Sequence, residues 1–137
     1  MRVFAHATED ADRVLAAARN MLPSEYVEAV NFKKSQLYGH YGNPIVLFEA
    51  KIKEKKVVQA VFRKLCSGLS VLDKDVLSGE IEQHVEKGNL YIRLDKQSAF
   101  LGEFKLGSVD TVHLRVHFRK HRFEDVVGIC RKFGLLP

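Results

Sequence analysis

The amino-acid sequence predicts an α+β fold, with an antiparallel sheet and helices packed on one face of it. Segments such as Thr111–Phe118 alternate apolar and polar residues, which is the period of a half-buried strand. Other segments, such as Glu124–Phe133, repeat apolar residues at helical spacing. Short turns join most neighbouring strands, so hairpins dominate and an antiparallel sheet follows. The predicted order of elements is β-α-β-β-α-α-β-β-β-α.

The size and composition of the chain are those of an ordinary globular domain. The length of 137 residues predicts one domain spanning residues 1–137. A chain of this size can bury a sizeable core and needs no disulfide to fold. No apolar run approaches the roughly 20 residues of a membrane span, and the N-terminal segment lacks the pattern of a signal peptide. We therefore expect the protein to reside in the cytoplasm.

Periodicity and capping residues give the boundaries of the elements. Alternation predicts strands at Met1–Ala7, Tyr26–Leu37, Ile45–Lys53, Leu90–Leu94, Ala99–Leu106 and Thr111–Phe118. Helical spacing predicts helices from Thr8 to Pro23 and at Glu54–Ser67, Asp73–Lys87 and Glu124–Phe133. Thr8 is the expected N-cap of the first helix, because its hydroxyl can accept from an unpaired backbone N–H. Gly68 and Gly134 are expected to close two of the helices as left-handed caps.

The stretch Leu90–Leu106 predicts a hairpin at the centre of the sheet. Its two apolar-rich runs are joined by the polar residues 95–98, the expected turn. The first run directs two sets of side chains to opposite faces, the apolar Leu90, Ile92 and Leu94 and the polar Tyr91, Arg93 and Asp95. One face can therefore join the core while the other meets water or a ligand.

The charge pattern indicates an anionic partner. There are 22 Lys and Arg residues against 17 Asp and Glu residues, a net charge of +5. No acid interrupts residues 111–123, which hold a row of cations on and after the last predicted strand, namely His113, Arg115, His117, Arg119, Lys120 and Arg122. Same-face positions on a strand lie roughly 6.5–7 Å apart, close to the spacing of phosphates along a nucleic acid. This row could neutralise several phosphates; a solvated strand face is the alternative.

The turn Gly39-His40-Tyr41-Gly42-Asn43-Pro44 is a second candidate contact. Its glycines fit the G-x-x-G pattern that clamps a nucleic-acid backbone in KH domains, although strands rather than helices flank it here. Bare glycine backbone, His40 and Asn43 could donate to phosphates, and Tyr41 could stack on a base. A purely structural turn is the alternative.

No catalytic, metal or cofactor signature is present. The chain contains neither G-x-S-x-G nor H-E-x-x-H. The histidines at 113, 117 and 121 lie about 13 Å apart along a strand, too far to share one metal ion. Cys66 and Cys130 lie in apolar helical patterns and are expected to be buried free thiols. The carboxylates of Asp95 and Glu103 could approach each other, but neighbouring cations favour ion pairing.

Three segments resemble a known family. They are His6-Ala7-Thr8-Glu9-Asp10, Gly39-His40-Tyr41-Gly42-Asn43-Pro44-Ile45 and Leu90-Tyr91-Ile92-Arg93-Leu94-Asp95-Lys96-Gln97-Ser98-Ala99-Phe100-Leu101-Gly102. Together they resemble a family of small archaeal RNA-binding proteins that is described as a predicted exosome subunit, with a fold like ribosomal protein L5. The first segment alone is also similar to another small archaeal family of related fold. The resemblance implies an L5-like fold, RNA as partner, an archaeal source and no enzymatic activity.

The sequence leaves three candidate functions. The first is a non-catalytic RNA-binding protein associated with RNA processing or degradation, without cofactor or metal. Its expected RNA contacts are Arg93, Lys96, Arg115, His117, Arg119, Lys120, Arg122, Tyr91, His40, Tyr41 and Asn43. The second is a protein-interaction adaptor, or a homodimeric component of an RNA-processing assembly. The third is a small enzyme acting on phosphorylated ligands, which rests only on Asp95, Glu103 and nearby lysines.

Overall fold

The computed structural model describes residues 1–39 and 41–137. His40 lies outside the described residues. The elements within these ranges are, in chain order, β1 (Arg2–Ala5), α1 (Ala11–Arg19), a 3₁₀ helix (Ser24–Ala29), β2 (Lys33–Tyr38), β3 (Pro44–Glu49), α2 (Lys55–Gly68), α3 (Val71–Gly79), α4 (Ile81–His84), β4 (Val85–Glu86), β5 (Asn89–Asp95), α5 (Lys96–Phe100), β6 (Thr111–His117) and α6 (Phe123–Lys132).

One antiparallel sheet joins all six strands in the order β2-β3-β1-β6-β5-β4. The longest pairing, between β5 and β6, runs from Asn89 opposite His117 to Asp95 opposite Thr111. β1 lies between β3 and β6, and Arg2 is the partner of His113. The first strand is therefore central, although it is short.

Helices cover one face of the sheet, which confirms the predicted fold class. On β5 and β6 most residues of this face are buried, and Leu90, Leu94 and Val112 are fully buried. They share one core with the apolar sides of α1, α2 and α6. The stripe assigned to the core from the sequence of β5 is therefore correct. None of the helices in residues 1–39 and 41–137 has the length and apolar character to cross a membrane.

The predicted hairpin of Leu90–Leu106 is wrong in its second half. Lys96–Phe100 forms α5, because Asp95 caps it by accepting from the backbone N–H of Ser98 at 3.0 Å. β5 instead pairs with β6 along its whole length. The returning chain pairs only briefly with the end of β5, through an isolated bridge between Leu94 and Leu106. The Asp95 N–H donates to the Lys105 carbonyl at 2.7 Å, and the Gly107 N–H donates to the Arg93 carbonyl at 3.0 Å.

The predicted strand Tyr26–Leu37 and helix Asp73–Lys87 each divide into shorter elements. A 3₁₀ helix at Ser24–Ala29 follows Pro23, and β2 begins only at Lys33. The helical prediction splits into α3, α4 and β4, after which Lys87 (φ 50°) and Gly88 (φ 79°) turn the chain into β5. Positive φ at both turn residues is the two-residue hairpin geometry, so Gly88 serves a turn rather than a helix end.

Two of the three predicted caps differ from the structure. Asp10, not Thr8, caps α1, and its side chain accepts from the Asp12 N–H at 3.0 Å. Gly68 ends α2 without left-handed geometry, and its missing Cβ instead makes room for the ring of Phe104. Gly134 has φ +84° after α6, as predicted.

Candidate nucleic-acid interface

The face of the sheet away from the helix-packed core is polar and basic. Residues that alternate with the buried stripe project from it, because successive side chains on a strand point to opposite faces. On β5 and β6 they form four cross-strand pairs, namely Asn89–His117, Tyr91–Arg115, Arg93–His113 and Asp95–Thr111. Arg93, Arg115 and His117 are exposed. The sequence assigned these three side chains to RNA contacts, and the sheet brings them onto one surface.

A row of direct strand partners extends this surface across five strands. It consists of Arg93, His113, Arg2, Glu49 and Lys33. Neighbouring strands lie about 4.8 Å apart, so the row spans roughly 19 Å. Burial, and then the charges of Arg93 and Arg2, lower the pKa of His113. At neutral pH this imidazole is therefore a hydrogen-bonding group between two guanidinium groups rather than a third cation. We call Arg2, Arg93 and Arg115 the arginine surface.

An aromatic ring lies within the arginine surface. Tyr91 is 40% exposed and is the direct cross-strand partner of Arg115. Along its own strand it is two residues from Arg93, so both guanidiniums flank the ring on the same face. A ring flanked by cations is the arrangement that binds an unpaired base and the phosphates beside it.

A basic loop continues from the end of β6. Arg119, Lys120 and Arg122 are exposed on residues 118–122. The loop is anchored to the β4–β5 turn, since the Phe118 N–H donates to the Gly88 carbonyl at 2.8 Å. His117 contacts the side-chain oxygen of Asn89 at 3.0 Å, which holds the strand end beside the same turn.

A groove of about 1120 Å³ borders the arginine surface. Its floor includes Tyr91 and the three arginines, and α3 and α4 form its opposite wall. That wall carries Val76, which is 51% exposed, and the acidic side chains Asp73 and Glu80. The groove therefore has a mainly cationic floor, which holds an aromatic ring and the Glu49 carboxylate, and an acidic, partly apolar wall.

Lys96 is not at the surface. Its side chain is fully buried, and its ammonium lies 2.9 Å from each of Phe4 O, Glu9 Oε1 and Asp110 Oδ1. These three acceptors use its three N–H donors. We therefore leave Lys96 out of the candidate interface, because it has no donor left for a phosphate.

Three side chains near Lys96 lie close enough together to be considered as metal ligands. The ligand atoms of His6, Glu9 and Asp110 lie within 4.8 Å of one another. The ammonium of Lys96 lies between the two carboxylates and supplies the positive charge they need. Burial acts to raise the pKa of Glu9, but hydrogen bonds from the His6 backbone and Lys96 outweigh it and leave the pKa lowered. We interpret this cluster as a structural ion-pair network.

The turn between β2 and β3 lies away from the arginine surface. Its Gly39 N–H donates to the Asn43 carbonyl at 2.7 Å, and Gly42 has φ +76°. Tyr41 and Asn43 are exposed, whereas the prediction for His40 falls outside the described residues. Because Val46 pairs with Ala5 while Arg2 pairs with His113, the turn is at the opposite end of the sheet from the basic loop.

The remaining reactive groups serve packing and capping. Cys66 and Cys130 are buried free thiols, as predicted, and burial raises their pKa values to about 11 and about 12. The Asp95 carboxylate caps α5, and in the described ranges neither it nor Glu103 lines the groove. The structure thus gives no support to the enzyme hypothesis based on these two acids.

Sequence reasoning missed Arg2 and the wall of the groove. Arg2 alternates with the buried Val3, which signals an outward side chain, but only the strand order reveals that it neighbours His113. The sequence predicted one continuous helix over Asp73–Lys87, which gave no separate signal for Glu80 and His84. His84 Nδ1 lies 2.9 Å from the Tyr91 carbonyl oxygen, a contact that no periodicity indicates.

Comparisons with known proteins identify the family of this chain. A family model described as RNA binding matches residues 1–118. RNA-binding protein PAB1135 of Pyrococcus abyssi is 38% identical over 119 residues, covering 85% of this chain and 77% of that protein. The crystal structure of protein AF2318 from Archaeglobus fulgidus, described as DUF54, has a TM-score of 0.81 and 25% identity, covering 96% of this chain and 94% of that one. A UPF0201 protein from Methanococcus jannaschii shares the fold alone, with a TM-score of 0.61 and 16% identity over 99% of this chain and 91% of that one. The chain belongs to the RNA-binding family.

Proposed function

We propose that the protein binds single-stranded RNA across the open face of its sheet. The observation that carries this proposal is the arginine surface, where Arg93 and Arg115 flank the exposed ring of Tyr91 and Arg2 lies one strand beyond, opposite His113. Guanidinium groups bind phosphates in a planar, often bidentate manner, and an exposed ring accepts any unpaired base by stacking. Membership of the RNA-binding family and the name of the Pyrococcus abyssi relative support RNA as the partner.

The basic loop extends the path of the RNA backbone in this proposal. Arg119, Lys120 and Arg122 continue from β6, the strand that carries Arg115 and His117. Their cationic side chains are exposed, and contacts from such side chains to phosphates add affinity without reading the base sequence. Tyr41 and Asn43 remain a separate candidate contact for an RNA long enough to reach the other end of the sheet.

A salt titration tests the phosphate contacts. We expect the double variant Arg93→Ala/Arg115→Ala to bind a labelled single-stranded oligonucleotide more weakly. The slope of log affinity against log salt should fall by about 0.7 for each lost phosphate contact. The matched control is Arg19→Ala/Arg131→Ala, which removes two exposed arginines from α1 and α6 on the helix side. Equal slopes for both double variants contradict the proposed surface.

A substitution at Tyr91 tests stacking. We expect Tyr91→Ala to lose roughly 1–3 kcal/mol of binding free energy, because stacking on a ring contributes that much per base. Tyr91→Phe keeps the ring and should retain most of the affinity. A Phe variant as weak as the Ala variant shows that the hydroxyl, not the ring, makes the contact.

The finer assignments rest on the resemblance of the three sequence segments. We propose a non-catalytic, cytoplasmic role in RNA processing, with association with the exosome and a fold related to ribosomal protein L5. Superposition on an L5 structure should show the same strand order. Affinity purification from the native source, with and without ribonuclease, should recover exosome subunits in both samples. Recovery only without ribonuclease shows tethering through RNA, and no recovery contradicts the association.

A protein-interaction adaptor is the second candidate, and one observation favours it. Val71 and Leu72 at the start of α3 are 74% and 77% exposed, two adjacent large apolar side chains. Such residues at a surface favour a protein contact when they form part of a larger patch. Sedimentation of wild type and Leu72→Ser tests self-association. A monomer at all concentrations in both proteins contradicts the homodimer.

A further inference from the structure

The groove beside the arginine surface has walls of opposite charge. Tyr91 and the arginines form the floor, and Glu80 and Asp73 belong to the facing wall. An RNA phosphate is repelled by carboxylates and attracted by guanidiniums, so the backbone must follow the floor. The edge of a base stacked on Tyr91 is then the part of RNA that can meet the wall. The groove has a volume of about 1120 Å³, which exceeds the usual range for a small-ligand pocket, so a nucleotide fits in it.

One imidazole connects the ring to the acidic wall. His84 Nδ1 lies 2.9 Å from the Tyr91 carbonyl oxygen, and His84 Nε2 lies 3.5 Å from Glu80 Oε2. A carbonyl oxygen can only accept, so Nδ1 carries the hydrogen in this contact. Nε2 faces the Glu80 carboxylate, so this imidazole lies between Glu80 and the backbone of Tyr91. The wall thus presents two adjacent acceptors, the two oxygens of the Glu80 carboxylate, next to the backbone of the stacking residue.

The pairing properties of the four bases decide which one suits two adjacent acceptors. The Watson–Crick edge of guanine carries neighbouring N1–H and N2–H donors. Adenine and cytosine present one amino donor beside a ring-nitrogen acceptor, and uracil presents one N–H between two carbonyl acceptors. Guanine alone can therefore donate to both carboxylate oxygens at once, whereas an acceptor on any other base faces an acceptor on the wall.

We infer that the groove reads a guanine base of single-stranded RNA, with Glu80 as the principal acceptor and Tyr91 as the stacking platform. This inference rests on the proposed function, because the base reaches the wall only if the backbone lies on the arginine surface. Asp73 has a different role: its Oδ2 accepts from the Leu106 N–H at 3.1 Å, which fixes α3 against the segment that follows α5.

Fluorescence anisotropy with short labelled oligonucleotides tests the inference. The oligonucleotides are uridine pentamers whose central base is guanine, hypoxanthine, adenine or uracil. Hypoxanthine lacks the 2-amino group of guanine and is otherwise the same. We expect the guanine oligonucleotide to bind wild type at least about five-fold more tightly than the other three, the gain of one good bidentate contact.

Two charge-matched variants locate the contact. Glu80→Gln should bind the guanine oligonucleotide no more tightly than the uracil oligonucleotide, which removes the guanine preference. Glu82→Gln makes the same change on α4 outside the groove and should keep the preference. Equal binding of all four oligonucleotides by wild type overturns base reading but leaves phosphate binding intact. No binding of any oligonucleotide at low salt overturns the proposed function itself. A preference that survives Glu80→Gln overturns the assignment of Glu80.

Discussion

Replacement of Lys96 by Met distinguishes a structural lysine from an RNA contact. Met keeps most of the buried aliphatic stem and removes the ammonium that binds Phe4 O, Glu9 and Asp110. Removal of one partner from a buried ion pair costs about 3–5 kcal/mol. The side chains of Glu9 and Asp110 are 22% and 43% exposed and can regain water, which lowers the cost. We therefore expect a loss of about 2–3 kcal/mol in the free energy of unfolding.

Thermal and denaturant unfolding measure this loss. Unfolding entropy is about 2.1 cal/mol/K per residue, so for a chain of this length the expected drop in Tm is roughly 8 °C. A double-mutant cycle with Glu9→Gln isolates the ion pair, because the two losses should overlap rather than add. RNA affinity at a temperature where both proteins are folded should stay unchanged. A variant as stable as wild type that binds RNA more weakly refutes the structural role and restores Lys96 to the interface.

The pH dependence provides an independent check on the same network. The pKa of Glu9 is lowered in the folded protein from its ordinary value of 4.5, so folding is favoured by its ionised form. The stability it contributes is complete above that ordinary value and is lost as pH falls through the lower, folded value. The difference in unfolding free energy between wild type and Lys96→Met should therefore be largest near neutrality and shrink in acid. A difference that is constant from pH 7 to strong acid contradicts this linkage.

The thiols and the glycine of α2 give two further predictions. Since burial raises the pKa of Cys66 to about 11 and of Cys130 to about 12, we expect iodoacetamide at pH 8 to label both only after unfolding, as measured by mass spectrometry; rapid labelling of the native protein contradicts this. A Cβ at Gly68 lies 2.5 Å from Cδ2 of Phe104, so Gly68→Ala should lose about 1–3 kcal/mol of stability. A Cβ at Gly79 would have no atom of the described residues within 4 Å beyond its chain neighbours and its own helix backbone. Gly79→Ala in the same assay should therefore be neutral or stabilising.

Local patterns predicted which faces of the strands are buried, but not which strands are neighbours. Alternation on β5 and β6 assigned Leu90, Leu94 and Val112 to the core, and all three are fully buried. The pairing of β5 was wrong because Asp95 begins a helix instead of a turn, and an Asp followed three residues later by Ser fits either. The choice is made by β6, which pairs with β5 from sixteen or more residues away in sequence.

The candidate site divides in the same way. Tyr91, Arg93 and Arg115 were found from alternation alone, because each follows a buried neighbour on its strand. Arg2 was missed, since its position beside His113 depends on the order of strands in the sheet. Lys96 was expected at the surface because lysine is usually exposed, and only its three-dimensional contacts, such as that with Glu9, explain its burial.

Two of the three segments that carry the family resemblance meet at this buried lysine. His6 and Glu9 come from the first segment, and Asp95 and Lys96 come from the third. Their contacts hold β1, α5 and the chain before β6 together. These residues of the family segments therefore stabilise the fold.

Tyr91 and Arg93 also lie in the third segment, but on alternate positions that face away from the core. One stretch of β5 thus serves two purposes: its inward side chains join the sheet to the helices, and its outward side chains form the floor of the groove. Substitutions of the outward residues should therefore change RNA binding with little loss of stability, whereas Lys96 should do the reverse. Measurement of RNA affinity and unfolding free energy on every variant separates the two purposes, because an outward residue of the RNA surface loses binding in a protein that remains folded.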